Sequence, residues 1–117
     1  MTRQQRAADE LHGASEALDA IGALVAEGRE PFEASADRRA HLCYLWVVVG
    51  SRLKNHCAVL DIPRATGEFA KAIAFRQKLA YQRPSKRDDD LLWTASVSDA
   101  PRLARDISDT LTAMGHL

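Results

Sequence analysis

The sequence predicts an all-α protein, an up-and-down helical bundle of four to five helices forming a single domain over residues 1–117. Apolar residues recur at three-to-four spacing along almost the whole chain, which is the period of one helix face. Pro31, Pro63 and Pro84, with Gly28 and Gly67, fall at the breaks between these stretches, at the short intervals that join antiparallel neighbours. No Asn-Gly hairpin signal, internal repeat or low-complexity segment interrupts the pattern. With 117 residues, 46% hydrophobic and 27% charged, the chain has the composition of one globular domain. A domain of this length buries roughly two-thirds of the surface of its unfolded chain, enough for a core without disulfides or metals.

The first helix is expected over residues 3–28, with Leu11, Ala14, Leu18, Ile21, Leu24 and Val25 on one face. Gly28 closes it, and the run Gly28 to Pro31 is expected as a connection, because proline cannot continue a helix. The second helix starts near Ser35 and ends at Asp61-Ile62-Pro63. Its Leu42, Leu45, Trp46, Val48, Val49 and Leu53 occupy more than one face, as expected of the central element of a core. Val47, Val48 and Val49 would also suit a buried strand, but their flanks have helical composition. Gly50 inside this helix costs about 1 kcal/mol relative to alanine, which points to close approach by another backbone.

A third helix begins at Thr66 or Gly67 and runs to Leu79, presenting Phe69, Ala72, Ile73, Phe75 and Leu79. Beyond Pro84, the acids Asp88, Asp89 and Asp90 suit the amino-terminal turn of a fourth helix anchored by Leu91, Leu92 and Trp93. Ser98 or Asp99 is expected to cap a separate fifth helix, with Pro101 in its first turn and Leu103, Ile107, Leu111 and Met114 on one face.

Sixteen basic and sixteen acidic side chains, with a pI near 6.9, exclude a globally basic nucleic-acid binder. No apolar run approaches the eighteen or so residues of a membrane span, and the first residues lack an apolar signal core, so a cytoplasmic protein is expected. No cofactor is implied: the six glycines are scattered and make no phosphate-cradling loop. His41 with Cys43 and His56 with Cys57 include ligand types for a metal, but the two pairs are separated along one helix. Cys43 and Cys57 stand about 21 Å apart along it, beyond disulfide reach, so no metal site is predicted and the thiols read as small apolar groups.

The unusual charge feature is the stretch from Lys71 to Arg87, which holds Lys71, Arg76, Lys78, Arg83, Lys86 and Arg87 and no acid. Tyr81 lies among them. Arginines there would make charge-assisted contacts to a phosphodiester backbone while the tyrosine ring stacks on a base. The alternative is a solvated face whose cations complement a helix carboxyl terminus and meet Asp88 to Asp90 across the turn.

Several of these residues resemble the HepT-like family, the toxin components of HepT/MNT toxin–antitoxin pairs. The residues concerned are Val49-Gly50-Ser51, Phe69, the run Phe75 to Arg83, Trp93, and Asp99-Ala100-Pro101-Arg102-Leu103. The resemblance spans most of the chain and implies a helical bundle, a homodimer, an MNT-type nucleotidyltransferase antitoxin as partner, and a metal-independent ribonuclease built on an Arg-x4-6-His motif. Arg76 matches the motif arginine. Tyr81 stands where the family has histidine, Arg83 where it has the tyrosine that the antitoxin modifies, Gln77 for asparagine and Ser51 for glutamate. A histidine titrating near pH 6.5 exchanges protons at neutrality and a tyrosine near 10 does not, so the site reads as degenerate. The resemblance thus implies catalytic positions at Arg76 and Tyr81. The basic stretch gives an RNA- or partner-binding set of Lys71, Arg76, Lys78, Tyr81 and Arg83. Two alternatives stand beside this reading: an active ribonuclease using Arg76 with Tyr81 or His56, and a substrate-binding helical partner of a nucleotidyltransferase.

Overall fold

The computed structural model describes residues 1–81 and 88–116. Among them the chain is an all-α up-and-down bundle, with helices α1 (Arg3–Ala26), α2 (Arg29–Ala34), α3 (Ala36–Val59), α4 (Gly67–Tyr81), α5 (Asp89–Thr94) and α6 (Ala100–Ala113). Helix α3 packs against α1 and α4, and α6 closes the bundle by packing on both α1 and α4. The core is one cluster running through Leu11, Leu18, Ile21, Leu42, Trp46, Val49, Leu53, Leu92, Leu103, Ile107 and Leu111.

The helix starts follow from short polar side chains. Thr2 Oγ1 accepts the Gln5 backbone N–H at 3.1 Å while Thr2 N–H donates to Gln5 Oε1 at 2.8 Å, a reciprocal box that opens α1. Ser35 caps α3 through Arg38 N–H, and Asp88 caps α5 through Leu91 N–H. Helix α3 stops where Asp61 adopts a left-handed φ of 54°. There the Ile62 N–H donates to Cys57 O at 2.8 Å and the Asp61 N–H to Ala58 O at 3.2 Å, satisfying the terminal carbonyls. Arg3 then ties the two ends together by donating to Val59 O and pairing with the Asp61 carboxylate.

Two boundaries differ from the sequence expectation. Residues Arg29–Ala34 are helical, so α1 ends at Ala26 and the expected connection contains a helix of its own. Pro31 is tolerated because it sits in the first turn, where its missing N–H has no intrahelical acceptor. Phe32 holds this turn down: it is buried and meets the Trp93 ring at 5.1 Å.

The expected fourth and fifth helices are one run. Between α5 and α6 the chain continues through a π-helical turn, Ala95–Asp99, in which Ala100 N–H reaches back to Ala95 O. Asp99 is helical and makes no capping hydrogen bond, so it does not start a new helix. The wider turn lies immediately before Pro101, whose ring would clash with the carbonyl four residues back in a regular α-helix.

Gly50 lies at the α3–α4 crossing, as its position within an otherwise apolar helix predicts. A Cβ there would stand 2.1 Å from Arg76 Cβ and 3.1 Å from Ala72 O. Only glycine lets the two helices come this close.

Candidate functional site

Helix α4 carries most of the basic and aromatic residues singled out in the sequence. Its inner seam is Phe69, Ala72, Arg76 and Leu79, at the spacing of one helix face, with Phe69 and Leu79 packed on the core and Ala72 within it. Arg76 therefore begins in the α3–α4 interface: its Cβ and Cγ lie over Gly50 and its Nε donates to Ser51 Oγ at 3.1 Å.

Tyr81 is five residues on, about 140° around the helix at 100° per residue. It is 79% exposed. Arg76 and Tyr81 are thus presented in different directions. Lys71, Lys78 and Tyr81, by contrast, fall within about 80° of one another and are all exposed, on the side of α4 turned away from α3. Lys71 is 3.3 Å from Glu68 Oε1, whereas Lys78 meets no carboxylate among the described residues. Arg83 lies outside the described residues, as do Lys86 and Arg87.

His56 is 2% exposed and on the opposite side of the Gly50 crossing from the end of α4. Its Nδ1 is 2.8 Å from Ala7 O, and since a carbonyl only accepts, Nδ1 carries the proton. Phe69 closes over the ring edge-on at 6.0 Å between centroids. This histidine joins α1 to α3, and it does not approach Arg76 or Tyr81.

The acids at the start of α5 do not neutralise the α4 cations. Asp90 pairs with Arg29, and Asp89 lies 3.5 Å from Arg39 Nε, so both carboxylates face α2 and α3. Cys57 is buried and burial pushes its thiol above the ordinary range, while Cys43 is half-buried. Among the described residues no group of three or more histidine, cysteine, aspartate or glutamate side chains is arranged to hold a metal ion. Nor is any helix among them long and apolar enough to cross a membrane.

Two features escape a reading by residue type. Trp46 Nε1 donates to Ser96 Oγ at 2.9 Å and Ser96 Oγ to Leu92 O at 2.8 Å, a buried relay that joins α3 to the π turn. A cavity of about 390 Å³ also opens between α4 and the α5–α6 run, with Phe75, Leu91 and Leu103 among its walls and Lys71 and Lys78 along one side. The seam position of Arg76 was readable from its spacing to Phe69, Ala72 and Leu79. The Ser96 relay and the cavity had no such signal.

An all-α bundle with a cationic, tyrosine-bearing outer helix is the class of protein that fold and site define. No protein-family model matches the chain, and comparison with curated proteins and with solved structures finds no match.

Proposed function

We propose that the chain is a HepT-like toxin–antitoxin bundle protein with a degenerate ribonuclease site, and that it acts by binding RNA. The observation that carries this reading is the separation of the two catalytic positions on α4. Arg76 is held in the helix interface by Ser51, and Tyr81 projects into solvent with Lys71 and Lys78. Metal-independent cleavage of RNA needs a proton-transfer group and a charge-stabilising arginine converging on the same phosphate. The outer face instead offers what non-catalytic RNA binding needs: ammonium groups spaced along a backbone and an exposed ring on which a base stacks. Arg83 continues the binding set. A cytoplasmic location, a homodimer and an MNT-type nucleotidyltransferase partner belong to the same reading. Light scattering at micromolar concentration should then report twice the chain mass.

The test is incubation with total tRNA in EDTA from pH 6 to 9, alongside binding measured at increasing salt. The expected result is intact RNA with both the wild type and Arg76→Ala, and binding that weakens with salt. Tyr81→Ala should lower affinity by about ten-fold, the stacking contribution of one base. RNA cleaved by the wild type and spared by Arg76→Ala would replace this reading with that of an active metal-independent ribonuclease.

A further inference from the structure

The geometry points to a ligand site beside the RNA-binding face that shares its Lys78: the cavity between α4 and the α5–α6 run takes an amphipathic monoanion, an alkyl carboxylate with a body about 10 Å long, its head on Lys78. At about 390 Å³ the cavity has the size of a small-molecule pocket, where apolar walls bury the ligand body and a few polar groups fix its orientation.

The chemistry of the two ends decides the orientation. At the Glu68 end the charges are already balanced. Lys71 Nζ lies 3.3 Å from Glu68 Oε1, Arg102 Nε lies 3.6 Å from the same oxygen, and Arg102 also pairs with Asp99. Two acids and two bases leave that end neutral. Lys78 stands seven residues, about 10.5 Å, along α4 from Lys71, and it meets no carboxylate among the described residues. An anionic head is therefore drawn to Lys78, at the end where Leu91, 37% exposed, forms the rim.

The walls between the two ends ask for hydrocarbon. Trp46 presents its ring alone, because its only N–H is spent on Ser96. Phe75 meets that ring edge-on at 5.3 Å, and Ala72, Ala95 and Leu103 complete an apolar floor. The π turn contributes to the wall as well: Ala95 and Asp99 are its first and last residues. Such turns recur at functional sites.

Isothermal titration with decanoate, and with decanol as its uncharged counterpart, tests the assignment. One decanoate should bind per chain, decanol at least ten-fold more weakly, and Lys78→Gln should remove that difference. Leu91→Glu, an exposed substitution that places a carboxylate at the rim, should weaken decanoate at least ten-fold with unchanged helicity. Arg64→Gln, in the separate hollow beside Cys57, should leave it unaltered. Equal affinity for decanoate and decanol, no binding, or a loss confined to Arg64→Gln would overturn the proposal. None of these outcomes depends on whether tRNA binds.

Discussion

At the residue scale, three side chains show how position overrides residue type. Arg76 is charged but sits on a seam, so its first carbons pack on Gly50 before the guanidinium reaches Ser51. Gly50→Ala should therefore destabilise the fold by about 3 kcal/mol, because the clash is with a Cβ rather than a flexible end. Arg76→Ala keeps that Cβ and should not rescue it, whereas Arg76→Gly should recover part of the loss in a urea titration. Ser96→Ala strands the buried Trp46 N–H and should cost about 1–3 kcal/mol. Cys57 gives a pH dependence. Its raised thiol value means that the folded chain holds the proton to higher pH than the unfolded chain. Its contribution to stability is thus complete below the ordinary thiol range and is lost as pH rises through the folded value. Urea titrations at pH 7 and pH 10 should show a decline that Cys57→Ala lessens.

At the element scale, the helix boundaries depend on which competing constraint wins. The carboxylates at Asp88 to Asp90 were legible because a helix amino terminus favours negative charge, and since Asp88 also accepts the Leu91 N–H, Asp88→Ala should cost about 1 kcal/mol of stability in a thermal melt. The helix Arg29–Ala34 was not legible. Its proline signals a break, and only the burial of Phe32 against Trp93 shows why the chain turns helical again at once. The continuity of α5 and α6 was hidden for a related reason. Pro101 is compatible with a first turn after a cap or with a π turn inside a helix, and sequence-local chemistry is the same for both. The buried Ser96–Leu92 hydrogen bond lies within that continuous run.

At the scale of the whole molecule, the bundle is held by one long central helix. α3 touches α1, α2, α4 and α5, and the described chain extends 44 × 27 × 23 Å. Amides of α3 between Trp46 and Leu53 should be the slowest to exchange with deuterated water, since their opening exposes the largest part of the core. The salt links around this core tie ends together: Arg3 to Asp61 at one end, Arg38 to Glu27 and Arg39 to Asp89 at the other. All involve exposed or half-exposed groups, and each adds little singly.

The sequence by itself determined the all-α class, the four long helical stretches, the Gly50 crossing and the basic character of the segment from Lys71 onward. Those properties are set by periodicity, composition and local backbone freedom, which neighbouring residues fix among themselves. Only the tertiary structure decided that Arg76 meets Gly50 and Ser51, that His56 serves Ala7, and that a cavity lies between α4 and the π turn. The physical reason is that those relations join residues far apart in the chain. Their directions are settled by how whole helices dock, and no spacing within a single stretch encodes that.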